Sequence, residues 1–162
     1  MDYRTIEKPA FPVAGKSIRV ITEGGQNFSQ IPEFWTTCVQ DGTLTNLLSL
    51  AVPNALPPGT TLGICSDFTE NMEEFTYMIA VETPDSPEGL AESTVPALTF
   101  AAFTSVGPMP EAIQNVWINI FSEFFPSEPY VHASGPDLEI YPPGNPMASD
   151  YTCEVWVPVV PK

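Results

Sequence analysis

Apolar and polar residues alternate from 3 to 8 and again from 11 to 21, where Val13, Ile18, Val20 and Ile21 recur; Pro9 and Pro12 separate the runs, which predicts two strands. The Gly24-Gly25 pair ends the second. Within IPEFWTTCVQ (31–40) the spacing changes: Phe34, Trp35, Cys38 and Val39 recur at helical steps. Thr43 fits the N-cap of a short segment holding Leu44, Leu47, Leu48 and Leu50. Pro53, Pro57, Pro58 and Gly59 then break the chain. Residues 61–67 and 74–82 predict a hairpin around the polar turn TENME, its second strand alternating through Phe75, Tyr77, Ile79 and Val81. The turn-rich stretch TPDSPEG leads to strands at about 90–95 and 97–106, hinged at Pro96. The clearest helix follows. Pro110 suits its first turn, Glu111 suits the positive end of its dipole, and Ile113, Val116, Trp117, Ile120, Phe121 and Phe124 form one apolar face that Pro126 stops. The tail supplies DLEIY and YTCEVWVPV, in which Val155, Val157 and Val159 share one face and Trp156 takes the other.

The order strand, helix, strand, strand therefore occurs twice, over 11–82 and 97–159. Its length, 162 residues, suits one domain, divided into a module at about 3–83 and another at about 88–160. Neither module can bury both its helix face and its sheet face well alone. Paired side by side, they leave a crevice at a pseudo-twofold interface, a common place for a small-molecule site.

Composition narrows the function. Hydrophobic residues make up 43% of the chain, enough for a core, so the 19 prolines punctuate short elements of a folded chain. Twenty acidic residues face five basic ones, Arg4, Lys8, Lys16, Arg19 and Lys162, for a formal net charge of -15. That field repels phosphate backbones, and no basic stripe or Gly-rich loop ending in Lys offsets it, which excludes direct nucleic-acid binding. The same field concentrates cations and basic surfaces. Cys38, Cys65 and Cys153 lack C-x-x-C spacing and read as small buried hydrophobes of a reducing compartment. The N-terminus has no signal-peptide pattern and no apolar run is long enough to span a bilayer, so a cytoplasmic, non-membrane protein is expected. His132 is the sole histidine and is expected in a loop or strand. A Ser/His/Asp or Cys/His arrangement would depend on that one ring, and no His/Cys spacing forms a metal shell; neither metal nor cofactor is expected.

Seven stretches carry a family resemblance: IPEFW at 31–35, LGICSDF at 62–68, EFTYMIAVE at 74–82, VPALTFAAFTSVG at 95–107, FSEFFPS at 121–127, GPDLEIY at 135–141 and CEVWVPV at 153–159. Together and in this order they resemble the GyrI-like (gyrase-inhibitor-like) family, nearest its integron-cassette branch of free-standing effector-binding proteins. The chain departs from the family in Phe124-Phe125-Pro126 where a Trp-Leu-Pro is usual, in Ser127-Glu128-Pro129-Tyr130 for a Ser-Gly-Tyr pattern, and in Ala80 for a Gly. The resemblance implies an α+β fold of two pseudo-symmetric strand-helix-strand-strand modules sharing a concave, mostly antiparallel sheet with a central ligand pocket. It further implies binding of small lipophilic, frequently cationic molecules, and, for the gyrase-inhibitor members, action on a protein partner.

The family's functional glutamate lies in an E-x-Y motif, matched here by Glu139 and Tyr141. A carboxylate in an apolar cleft is penalised by desolvation until a cation favours its charged form. Aromatic faces add attraction for flat organic cations. Candidate walls are Phe34, Trp35, Tyr77, Met78, Trp117, Phe121 and Tyr141, with Glu74, Glu82 and Glu154 as secondary acids, expected at the surface. Two alternatives share these features. One is a hydrolase of electrophilic small molecules, with Glu139 as general base and Tyr141 donating to the developing negative charge. The other is an acidic inhibitor of a protein partner such as DNA gyrase.

Overall fold

A computed structural model describes residues 1–52, 56–85 and 87–162. Pro53, assigned above as a chain breaker, and Ser86 of the turn-rich connection lie outside the described residues. Among the described residues, eight of nine strands and the three longer helices follow the predicted order, and a short strand at Tyr130–His132 adds to it. Strands β1 (Arg4–Lys8) and β2 (Phe11–Ile21) precede helices α1 (Asn27–Gln40) and α2 (Thr43–Leu50), then β3 (Thr61–Ser66) and β4 (Glu74–Glu82). After β5 (Ala91–Val95) and β6 (Leu98–Val106) come α3 (Glu111–Asn119), β7 (Tyr130–His132), β8 (Asp137–Tyr141) and β9 (Thr152–Pro161).

The strands are ordered β1-β6-β9-β8-β3-β4-β2-β5, every pairing antiparallel, with β7 hydrogen-bonded to the end of β9. The two halves meet at β3 and β8, and β3-β4-β2 mirrors β8-β9-β6 about that seam. Each half's leading strand crosses over: β1, which precedes β2 in the chain, pairs with β6, and β5, which precedes β6, pairs with β2. The division at residues 83–88 thus follows chain order, while the outer strands tie each half to the other.

Alternation in the strands builds two faces. On one, Phe11, Val13 and Val95 join Phe100 and Trp156 in a single cluster with Leu62, Ile64, Met78, Leu138 and Ile140 from the middle strands. No helix contributes to that cluster, so the sheet is curled enough for its two ends to cover this face. The other face carries the helices. Val20, Phe75, Tyr77, Ile79 and Val81 lie under α1 and α2, and Cys153, Val155, Val157 and Val159 lie under α3. The predicted split of β9, valines one way and Trp156 the other, is what the structure shows.

The helices differ from their sequence reading at three places. α1 begins four residues early, so Pro32 sits inside it rather than near its start. Lacking an N–H, Pro32 cannot bond the Phe28 carbonyl one turn back; Gln114 Nε2 of α3 donates to that carbonyl instead, at 3.1 Å. Thr43 is not an N-cap but the first helical residue: Gly42 takes the cap with φ 84°, and Asp41 Oδ1 accepts from the Thr43 amide at 2.9 Å. Pro126 does not end the third helix before itself: a π turn at Ile120–Phe124 runs on into Phe125–Ser127, and the helical stretch closes one residue beyond the proline.

The basic N-terminal residues find distant acids: Arg4 pairs with Glu154, Lys16 with Asp41 at 3.1 Å and Arg19 with Glu74 at 3.8 Å. Among the described residues no helix is long and apolar enough to cross a membrane.

Candidate functional site

α1 and α3 lie on the same face of the sheet, one per half, and the space between them is a cavity of about 1510 Å³ floored by β3 and β8. Trp35 and Ile31 from α1 and Ile113 and Trp117 from α3 line it, with Phe121 beyond. Helical spacing puts these residues on the inner flanks, while their neighbours Phe34, Cys38, Ile120 and Phe124 turn down into the core.

Glu139 is buried on the cavity floor, with 4% of its surface exposed. Its carboxylate accepts three hydrogen bonds: Tyr77 Oη donates to Oε1 at 2.5 Å, Tyr141 Oη to Oε1 at 3.2 Å, and Trp117 Nε1 to Oε2 at 2.8 Å. Trp35 Nε1 donates to Tyr77 Oη at 2.8 Å, so the indoles of both halves converge on one acid, directly from α3 and through Tyr77 from α1. Trp35 meets Tyr141 edge to face with ring centroids 5.0 Å apart, and Trp117 stacks on Phe121 at 6.3 Å. Burial pushes the Glu139 carboxyl above its ordinary range, against the three donors that pull it down. Burial and the neighbouring carboxylate push both tyrosine hydroxyls well up.

Across the seam, β3 presents Gly63 opposite Glu139. A Cβ at position 63 would overlap both Tyr77 Oη and Glu139 Oε1. The missing side chain is therefore what lets the carboxylate and the tyrosine meet. A glycine inside a strand pattern is the signal that marks such a close approach, and the sequence reading passed over it.

A second acidic group was also missed. Asp137, two residues before Glu139, is buried and lines the cavity with His132 of β7. His132 Nε2 lies 2.6 Å from Asp137 Oδ1, and Nδ1 lies 2.6 Å from the Ala133 carbonyl. Two acceptors facing both ring nitrogens favour the doubly protonated imidazolium. Burial opposes that charge, yet Asp137 and the carbonyl outweigh it and raise the His132 pKa. Neither nitrogen is free to serve as a base. Among the described residues that line the cavity there is no Lys or Arg, and among the described residues no group of His, Cys, Asp and Glu is arranged to hold a metal.

Of the sequence-predicted site residues, Glu139, Tyr141, Trp35, Trp117 and Phe121 come together on the cavity wall, and Tyr77 stands fully buried behind it, joined through its hydroxyl. Phe34 and Met78 do not reach it. Phe34 is about 100° round the helix from Trp35 and packs in the core beneath α1; Met78 follows Tyr77 in a strand and so points to the opposite face. Glu74 and Glu154 pair with arginines elsewhere. Glu82, expected at the surface, is buried beside Lys8, on the wall of a separate small hollow.

The fold, two helices over a curled antiparallel sheet, is matched by known proteins. Residues 4–159 match the family model for integron-associated effector-binding proteins. The chain belongs to that family, the branch of the GyrI-like proteins that its sequence resembles, and is by class a binder of small molecules. Among solved structures it resembles SAV2435 bound to tetraphenylphosphonium, with 23% identity over 99% of this chain and 94% of the other and a TM-score of 0.85. A putative transcription regulation protein from Staphylococcus aureus matches at 23% identity, 98% coverage of each chain and a TM-score of 0.83. An integron cassette protein from the mobile metagenome of Vibrio cholerae matches at 18% identity over 98% and 95% of the two chains, with a TM-score of 0.64. No protein of curated function matches the chain.

Proposed function

We propose that the chain binds bulky lipophilic cations between its two helices, with Glu139 as the counter-charge and Trp35, Trp117, Phe121 and Tyr141 as the walls. One observation carries this reading: a buried carboxylate at the floor of an aromatic cavity whose described lining has no Lys or Arg and whose one imidazole, His132, is paired with Asp137. Without a guest, the Glu139 charge is opposed by burial; a cation nearby relieves that cost and gains aromatic contacts worth about 0.5 to 2 kcal/mol each. The cavity exceeds the roughly 300–1000 Å³ of common ligand sites, room for several rings. The guest held by SAV2435, a phosphonium carrying four phenyl groups, is of this kind.

Quenching of tryptophan fluorescence by tetraphenylphosphonium tests the proposal, since Trp35 and Trp117 both face the cavity. Glu139→Gln should weaken binding by at least about tenfold. Equal affinity in that variant would remove the electrostatic basis of the reading.

A further inference from the structure

The hydrogen bonding of Glu139 bears on which cations the cavity takes. A carboxylate offers about four acceptor directions, two per oxygen. Tyr77 and Tyr141 occupy both at Oε1, and Trp117 occupies one of the two at Oε2. One direction remains. The other buried acid on the wall, Asp137, already holds His132. Asp67 is exposed to water.

A primary ammonium brings three N–H donors and a guanidinium five, each of which leaves a water acceptor behind when it enters an apolar space. At Glu139 such an ion finds a single vacant direction, and a second bond to this carboxylate requires displacing one of the aromatic hydroxyls or the indole that hold it. A quaternary ammonium or phosphonium ion has no donor to lose. Its charge is spread over alkyl or aryl groups that suit the faces of Trp35, Trp117, Phe121 and Tyr141. We infer that this site selects cations lacking hydrogen-bond donors over primary ammonium and guanidinium ions of like size and charge. The inference rests on the cation-binding reading and sharpens it to a ligand class.

A methylation series tests it on the intact chain: 1-naphthylmethylammonium and its N-methyl, N,N-dimethyl and N,N,N-trimethyl derivatives, all charged at pH 7, measured by calorimetry. The four ions carry three, two, one and no donors. With one acceptor direction open, the unpaired donors number two, one, none and none. Affinity should rise over the first two methylations, by about tenfold or more in total, and then level off. Lipophilicity alone would raise it evenly at every step, and that even rise would overturn the inference. Trp117→Phe frees a direction at Oε2 and Tyr141→Phe frees one at Oε1. In either variant the plateau should shift toward the primary ion, and the span of affinities should shrink. A span unchanged in a variant that keeps the native circular dichroism and still binds the trimethyl ion also overturns it; two variants guard against one failing to fold. If neither the series nor tetraphenylphosphonium binds, the cation reading itself falls, whereas tight binding of all four ions with no break sinks the selectivity alone.

Discussion

The two halves of the molecule place different groups at matching positions. At the seam the second half presents Glu139 and the first presents Gly63, paired directly across the two central strands. On the helices the likeness is closer: α1 and α3 each carry a tryptophan aimed at the crevice, but Trp35 donates to a tyrosine while Trp117 donates to the carboxylate. Pseudo-symmetry thus makes the cavity, since two helix faces over one sheet leave a gap along the axis. Departure from symmetry makes the site, because two carboxylates on the axis would repel one another and two glycines would leave it without charge.

The sharpest way to break this comparison is to fill the glycine. Gly63→Ala puts a methyl group into the space shared by Tyr77 and Glu139, and overpacking of this sort costs about 1–3 kcal/mol. The urea midpoint should fall and cation affinity should drop with it; a native midpoint would show that the close approach is not required. Next in size is Tyr77→Phe, which leaves Trp35 Nε1 without its acceptor and Glu139 short of a donor. The expected loss is about 1–3 kcal/mol, to be compared by denaturation with Trp35→Phe, which unpairs only the tyrosine oxygen and should cost less.

Acidity probes the same asymmetry. Because burial raises the Glu139 pKa above its unfolded value, the folded chain binds more protons there, so this group's contribution to stability falls as pH rises through the interval between the two values. Cation binding favours the ionised form, so affinity should climb as pH rises toward the raised pKa of the folded chain and level off above it, with proton release detectable by calorimetry in buffers of different ionisation heat. In Glu139→Gln the rise should vanish. His132 acts in the same direction: its raised pKa gives stability that is present below its unfolded pKa and lost as pH rises through the folded one. The smallest effect is expected at the crossing between helices. Gln114→Ala removes the one donor that replaces the amide absent from Pro32, at a cost of about 0.5–1 kcal/mol. Cation dissociation, followed by stopped-flow fluorescence, should quicken more than the melting temperature falls, since the bond spans the cavity; unchanged dissociation would confine Gln114 to a local role.

Much of this was legible along the chain. Periodicity located nearly every strand and the three helices, since an alternation of two or a recurrence of three and four residues is a property of neighbours in sequence. Glu139 and Tyr141 came to attention through the E-x-Y motif of the resembling family, since periodicity alone would leave Glu139 as a solvated strand residue. Helix ends were less readable: Pro32 and Pro126 each stand inside a helical stretch, for reasons a single sequence does not display.

What the sequence by itself determined is most of the list of elements and the acidity of the whole, and its family resemblance singled out Glu139 as the acid to examine. The tertiary structure alone decided which partners that acid meets. Tyr77 lies 62 residues before Glu139 and Trp117 22 residues before it, and no local pattern states that a curled sheet brings them within hydrogen-bond reach. The same holds for Phe34, next to Trp35 of the wall but about 100° round the helix, and for Met78, next to Tyr77 but on the opposite face of the strand. Local periodicity fixes which way a side chain points from its own element; only the packing of one half against the other fixes what it points at.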